Sequence, residues 1–160
     1  MSEIPELLER YRRGAELLAV AITGAAGPEL DFHPAPGEWS VRQIVSHLAD
    51  AEAANVVRFR QVIAEDNPTL VPWDQNAWAE RTDYAKRKPS QALETMRILR
   101  ADNYQLLKDL PEEAYLRSGN HLRRGAMTLL DLLRLFAEHA ESHAAQIREV
   151  RSAYKASRAK

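Results

Sequence analysis

Apolar residues recur at intervals of three and four through four long segments of the chain, which is the period of an amphipathic helix. The segments cover residues 4–22, 41–64, 89–110 and 129–153. No segment shows the strict alternation of apolar and polar residues that is typical of a half-buried strand. Because four amphipathic helices bury their apolar faces most simply against each other, we predict an all-α, four-helix bundle.

Two of the predicted helices begin with an unusually complete start signal. In "WSVRQI", Ser40 is placed to cap the second helix and Gln43 to complete a capping box. In "MTLLDL", Thr128 and Asp131 occupy the same positions at the start of the fourth helix. These signals fix where both helices begin, and therefore how far along each helix its later residues lie.

The connection between the second and third helices, residues 66–88, is long and contains two prolines and two tryptophans. Connections of this length are usually functional or contain a short helix, and we expect one at residues 74–80. The bundle is predicted to run up-down-up-down, with its second and fourth helices parallel. We expect one domain, residues 1–155, followed by a short basic tail, residues 156–160, that frays.

Composition narrows the classes of function. A net charge of −1 gives no reason to expect nucleic acid or an anionic membrane as a partner. The charged start, "MSEIPELLERYRRG", is unlike a secretory signal, and no apolar run reaches the ~20 residues of a membrane span. The chain contains no cysteine, which excludes disulfides and thiolate ligands. We therefore expect a cytoplasmic protein that acts on a small molecule.

Three of the five histidines are predicted to face the interior of the bundle. His139 and His143 lie one turn apart at the edge of the apolar stripe of the fourth helix, whereas Glu138 points away. His47 flanks the apolar stripe of the second helix. With parallel helices, a stagger of one to two turns would bring the three side chains level. Three imidazoles from two helices predict a metal site with positions open for water or substrate.

The alternative is that these histidines are only polar packing, because a His-x-x-x-His pair also arises by chance. If they bind a metal, imidazole ligands suit zinc, nickel or iron. Glu52 and Gln146 are candidate partners for the second nitrogen of a ligating ring. The di-iron signature Glu-x-x-His and the protease motif His-Glu-x-x-His are both missing from the sequence.

Other residues are candidates for the surroundings of the site. His121 lies on the joint before the fourth helix and is predicted to act as a catalytic base or an extra ligand. Trp73 and Trp78, in the long connection, are predicted to roof the pocket and bind a cofactor or substrate. The alternative is that these large aromatic side chains only anchor the loop.

The stretches "PGEWSVRQIVSHLADAE", "VPWDQNAWAE" and "EHAESHAAQI" together resemble the DinB-like four-helix bundle superfamily. The resemblance covers nearly the whole chain, and it matches His47, His139 and His143 to the three metal-binding histidines of the family. It also implies a homodimer. Some branches of the family are transferases or isomerases that use low-molecular-weight thiols such as bacillithiol or mycothiol, and many members have no known activity.

The resemblance and the open metal site together predict a metal-dependent S-transferase that uses a low-molecular-weight thiol. A thiol bound to a metal ion loses its proton and becomes a nucleophile, and without cysteine the thiol must come from a cofactor or substrate. Two alternatives remain. The same site could activate water, which would make the protein a hydrolase. The domain could instead be a non-catalytic module for ligand binding or stress.

Overall fold

A computed structural model of the chain describes residues 2–159 and is dominated by helices. The helices are α1 (Ile4–Ile22), α2 (Val41–Ala64), α3 (Gln75–Arg81), α4 (Pro89–Lys108) and α5 (Leu129–Arg158). Helices α1, α2, α4 and α5 form a four-helix bundle, which confirms the predicted fold class, and the long connection between α2 and α4 contains the expected short helix. Helix α5 continues five residues beyond its predicted end, so residues 156–158 of the predicted tail are helical.

Both predicted capping boxes are present. Ser40 accepts a hydrogen bond from the backbone N–H of Gln43, whose side chain accepts one from the backbone of Ser40. Thr128 and Asp131 make the same pair of hydrogen bonds at the start of α5. The two helices that carry the candidate histidines are therefore fixed at their starts by local interactions.

Replacing Ser40 with alanine is expected to lower the free energy of unfolding by about 1 kcal/mol, because the capping hydrogen bond at the start of α2 is lost. Urea unfolding followed by circular dichroism measures this change. Ser90, an exposed residue in the first turn of α4, provides the control, and Ser90→Ala should change stability by less than about 0.5 kcal/mol. Equal effects of the two substitutions would contradict the capping role.

The helices do not follow the predicted alternating order. Arg10 pairs with Glu141, and Arg151 donates to the carbonyl of Ala21, so α1 and α5 run parallel. In the same way, Arg42 contacts the carbonyl of Arg87 and Arg60 contacts Asp102, so α2 and α4 run parallel. The rings of Phe59 and Phe136 meet at one end of the bundle and those of His47 and His143 meet further along, so α2 and α5 are antiparallel.

The order is thus up-down-down-up, and the long connection makes it possible. Helix α2 is about 36 Å long, because each of its 24 residues rises 1.5 Å. The connection, residues 65–88, returns the chain to the start of α2 before α4 begins, and an extended chain of that length reaches about 80 Å. Two consecutive helices can therefore lie parallel, which a short turn would not allow.

A small sheet that the sequence pattern did not indicate closes one end of the bundle. Strand β1 (Thr69–Leu70) pairs in parallel with β2 (Ser118–His121), which pairs in antiparallel with β3 (Gly125–Thr128). Strand β3 leads directly into α5. The sheet joins the long connection to the segment before α5 and places His121 at the end of a strand.

The interior has two apolar clusters with a polar group between them. One cluster surrounds Phe59 and Phe136, and the other surrounds Ile44 and Ile147. Between them lies a buried network formed by Tyr11, Glu52, Arg100 and Asn103. Within residues 2–159, no helix combines the length and the apolar content that crossing a membrane requires.

Candidate metal centre

The structure brings together the three histidines that the sequence singled out. His47 lies in the second turn of α2, and His139 and His143 lie in consecutive turns of α5. The Nε2 atom of His139 is 3.1 Å from the Nε2 atom of His47 and 3.1 Å from that of His143. All three candidate ligand atoms lie within 4.8 Å of one another. Three ring nitrogens from two antiparallel helices therefore surround one small space.

The hydrogen bonds of His143 determine which of its nitrogens faces that space with a free lone pair. Its Nδ1 atom is 2.8 Å from Oε1 of Gln146, which can only accept, so Nδ1 carries the proton. The Nε2 lone pair therefore points toward His139. Gln146 is thus placed as the predicted partner of a ligating ring.

A divalent cation fits this arrangement better than hydrogen bonds between the rings do. The Nε2 atom of His139 can donate only one proton, yet it lies equally close to two other ring nitrogens. Metal–nitrogen bonds of about 2.0–2.1 Å, at angles between 90° and 109°, hold neighbouring ligand atoms about 2.9–3.4 Å apart. The observed 3.1 Å separations lie in this interval. The residues present therefore fit a three-histidine metal site.

The surroundings of the histidines keep them uncharged. Burial, together with the neighbouring His143, lowers the pKa of His47 to about 3. Burial and the other two rings lower the pKa of His139 to about 2, and burial also lowers the pKa of His143. The ring centroids of Trp39 and His47 are 5.0 Å apart, and those of Phe136 and His139 are 5.7 Å apart, so aromatic rings pack against both histidines. Neutral imidazole is the form that binds a metal ion.

The metal-free protein is expected to lose stability as the pH falls from 7 to 5. The unfolded chain protonates its histidines near pH 6.5, whereas folded His47 and His139 stay neutral down to about pH 3 and 2. Protons therefore favour the unfolded state below pH 6.5, by up to about 1.4 kcal/mol per pH unit for each histidine, and this loss is absent above that pH. Urea unfolding of metal-stripped protein at several pH values measures it.

Two variants separate this effect from general acid destabilisation. His139→Leu should give a shallower decrease in stability with falling pH, because one of the rings that stay neutral in the folded state is removed. His33 is exposed, and its substitution by asparagine should leave the decrease unchanged. Identical slopes for wild type and His139→Leu would show that the buried rings are not responsible.

His121 lines a cavity of about 480 Å³ together with His47 and His139. Its Nδ1 atom accepts hydrogen bonds of 3.2 Å from the backbone N–H groups of Arg123 and Arg124, so the neutral ring carries its proton on Nε2. The geometry therefore favours a hydrogen-bond donor at this position over the predicted base or extra ligand. Its catalytic role remains a prediction.

The two tryptophans of the long connection differ in their positions. Trp73 lines the cavity beside His47 and His139, as predicted. Trp78 packs against Trp73 with the ring centroids 5.6 Å apart, is 38% exposed, and is not among the residues that line the cavity. Trp78 therefore contacts Trp73 without itself lining the cavity. Binding of a cofactor by either residue remains a prediction.

Glu52 does not serve the metal centre in the predicted way. Both of its oxygens are used elsewhere: one accepts from the guanidinium of Arg100, and the other accepts from the hydroxyl of Tyr11 at 2.7 Å. The Nδ1 atom of His47, to which a second partner could have bonded, is buried without a hydrogen-bond partner among residues 2–159. Glu52 therefore belongs to the polar network of the core.

The sequence analysis missed Arg58, which lines the same cavity and is only 7% exposed. A signal was present, because Arg58 follows His47 by eleven residues, which is three helical turns, and therefore lies on the same face of α2. Gln75 and Asn76, at the start of α3, were also missed. They line both this cavity and a second one of about 550 Å³ that reaches His143.

Two proteins that carry names are similar to this chain in sequence. A Bacillus subtilis protein named "Putative metal-dependent hydrolase YfiT" is 31% identical over 134 residues, which cover 83% of this chain and 75% of the relative. A protein of Oceanobacillus iheyensis, "Putative metal-dependent hydrolase OB0782", is 30% identical over 132 residues, covering 82% of this chain and 76% of the relative.

A solved structure has the same fold. It is described as "YfiT from Bacillus subtilis is a probable metal-dependent hydrolase with an unusual four-helix bundle topology", and it matches with a TM-score of 0.88 and 28% identity. The match covers 94% of this chain and 87% of the solved chain. The family model described as the DinB superfamily matches residues 10–147, most of the chain and all three histidines. The chain therefore belongs to the DinB superfamily.

Proposed function

We propose that this protein is a metal-dependent hydrolase in which His47, His139 and His143 hold a divalent transition ion. The observation that carries the proposal is the convergence of three neutral ring nitrogens beside a cavity large enough for a small substrate. The names of the relatives agree with this activity. Imidazole ligands suit zinc, nickel or iron, and three protein ligands leave positions open for exchange.

A bound divalent ion would lower the pKa of a coordinated water or thiol and polarise a substrate carbonyl. The protein's own residues orient the reactants. Gln146 holds His143 with its Nε2 lone pair toward the space between the three rings, where the ion would bind, and the rings of Trp39 and Phe136 shield the histidines from solvent. From the cavity, His121 offers an N–H group to an oxygen of the substrate.

The predicted thiol S-transferase is the second candidate, and one feature of the site favours it. Cavities of about 480 and 550 Å³ approach the histidines from two sides, and Gln75 and Asn76 line both. Two cavities suit a reaction that joins two molecules, a thiol and an electrophile, whereas hydrolysis requires room for only one organic substrate. A chain without cysteine would have to take this thiol from solution.

An assay with metal-reconstituted protein decides between the two activities. Ester and amide substrates, and separately alkyl and aryl electrophiles, are offered with and without low-molecular-weight thiols, and the products are identified by mass spectrometry. We expect thiol-independent hydrolysis that is lost in His139→Ala and kept in His33→Ala. Products that carry the thiol would replace the hydrolase proposal with the S-transferase. If wild type and His139→Ala gave equal turnover of every substrate, both proposals would fail.

The homodimer implied by the family resemblance is also a proposal for this chain. Sedimentation velocity at micromolar concentration would test it, and a monomer at all concentrations would contradict it.

A further inference from the structure

Three hydrogen-bond donors, the side chains of Arg58, Trp73 and His121, line the cavity beside the metal centre, and among residues 2–159 only Arg58 has an acceptor, the carbonyl of Val71. The guanidinium Nη2 atom of Arg58 lies 3.5 Å from Nε2 of His121, and both atoms carry protons, because Nδ1 of His121 is already an acceptor. The indole Nε1 atom of Trp73 is buried and has no hydrogen-bond partner among residues 2–159. All three residues line the 480 Å³ cavity.

The positive charge of Arg58 has no counter-ion in the described part of the chain. Its Nη2 atom donates to the carbonyl of Val71 at 2.9 Å, and its guanidinium lies 5.0 Å from the centre of the Trp73 ring. No ion pair joins it to a carboxylate of residues 2–159. Burial and the neighbouring Arg124 lower its pKa. A charge on a side chain that is only 7% exposed is costly unless it is paired, so the cavity favours a negatively charged occupant.

The carboxylate among the lining residues, that of Asp74, forms no ion pair with Arg58. Asp74 lines the cavity, but its Oδ1 atom accepts from the backbone N–H groups of Asn76 and Ala77 at the start of α3. Arg123 and Arg124 add two exposed positive charges to the lining. The cavity is therefore rich in donors and positive charge, which raises the local concentration of anions.

We propose that Arg58, His121 and the indole N–H of Trp73 bind an oxyanion group of the substrate, a carboxylate or a phosphate, while the reacting bond lies toward His47 and His139. This inference rests on the proposed function because it names the substrate class of that site. A planar guanidinium presents two parallel N–H groups to such an anion, and the two neutral donors complete its coordination. The metal centre and the anion subsite would thus hold opposite ends of one small molecule.

Binding of simple anions tests the subsite without an activity assay. The probes are malonate and inorganic phosphate, with neutral malonamide as the control, and binding is followed by calorimetry and by tryptophan fluorescence. The protein is used as purified, and His139→Ala provides a form with a disrupted metal centre. We expect millimolar or tighter binding of at least one anion, weaker binding of malonamide, and less than a threefold change in His139→Ala. The anion that binds more tightly identifies the source of the oxyanion.

Substitutions of Arg58 provide the decisive comparison. Arg58→Gln should weaken anion binding at least tenfold, and Arg58→Lys should weaken it less, because the charge is kept and the paired N–H groups are lost. Arg134→Gln, which removes an arginine that pairs with Glu3 on the surface, should not change binding. If Arg58→Gln does not fold, Trp73→Phe decides, because it keeps the ring and removes only the N–H; it should weaken binding severalfold.

Unchanged affinity in the folded Arg58 variant, or in Trp73→Phe if that variant does not fold, overturns the proposal. So does the absence of anion binding by wild type, equal binding of malonamide, or loss of binding in His139→Ala, which would place the anion on the metal ion. The hydrolase proposal fails separately: anion binding that depends on Arg58, without any metal-dependent hydrolysis, would reject the activity and keep the subsite.

Discussion

Replacing Glu52 with glutamine is expected to lower the free energy of unfolding by about 3–5 kcal/mol, although the two side chains are nearly the same size. Glu52 and Arg100 pair in the centre of the bundle, where each side chain is 1% exposed. Removing one charge leaves the other buried without compensation, and at that depth solvent cannot replace the lost partner. For a chain of this length, the melting temperature should fall by on the order of 10 °C.

The surrounding hydrogen bonds explain why the pair cannot relax. Arg100 also donates to the carbonyl of Tyr11 at 3.0 Å and to that of Phe136 at 3.0 Å, so its guanidinium is fixed to α1 and α5. Tyr11 in turn donates to Glu52 and accepts from Asn103. The network joins all four helices of the bundle, and its loss should loosen their packing together.

An exposed pair of the same residue types provides the control. Glu94 and Arg97 pair on the surface of α4 with side chains that are 53% and 57% exposed, and Glu94→Gln should change stability by less than about 0.5 kcal/mol. Thermal and urea unfolding of both variants measure the difference. A loss below about 1 kcal/mol in Glu52→Gln would show that the buried charge is compensated by groups outside this network.

The starts of the helices could be predicted from the sequence because they depend on local chemistry. A cap such as Ser40 and its box partner Gln43 lie three residues apart, so the whole interaction can be read from a short stretch. The order of the helices could not be predicted in this way. It depends on pairs such as Arg10 with Glu141, which are 131 residues apart, and a long connection permits either direction.

The small sheet was missed because its strands carry almost no pattern. Strands β2 and β3 have four residues each, "SGNH" and "GAMT", and β1 has only two, so no alternation can be recognised. Gly14 is a related case inside α1. A Cβ atom there would lie 2.0 Å from Nη1 of Arg100, so the glycine is needed for this close approach, and only the tertiary structure shows why.

The sequence could predict those features of the candidate site that depend only on which face of a helix a residue occupies. The inward direction of His47, His139 and His143 follows from their positions relative to the apolar stripes, and the structure brings these rings together. The same reasoning predicted correctly that Glu52 faces the interior. It could not show that Arg100, on another helix, pairs with the Glu52 carboxylate and fills the space beside it. A face gives the direction of a side chain, whereas its partner on another helix depends on the fold.

Removal of the metal ion is expected to produce the second large loss of stability. Protein purified without a metal-affinity step should contain about one divalent transition ion per chain, and His47→Ala should contain less than a tenth of that. An ion that binds only the folded state stabilises it by about 4 kcal/mol at a concentration a thousand times its dissociation constant. Chelation should therefore lower the melting temperature of wild type by on the order of 10 °C.

The variants His47→Ala and His33→Ala separate the metal centre from histidine content in general. His47 is buried and contributes one of the three converging nitrogens, whereas His33 is exposed and its Nδ1 atom lies 2.7 Å from the carbonyl oxygen of Glu38. His33→Ala should keep the ion and the shift on chelation, and His47→Ala should lose both. The ion can act on stability only through the ring nitrogens that hold it. If the two variants contain equal amounts of metal, and the chelator has no effect on wild type, the three histidines are only polar packing.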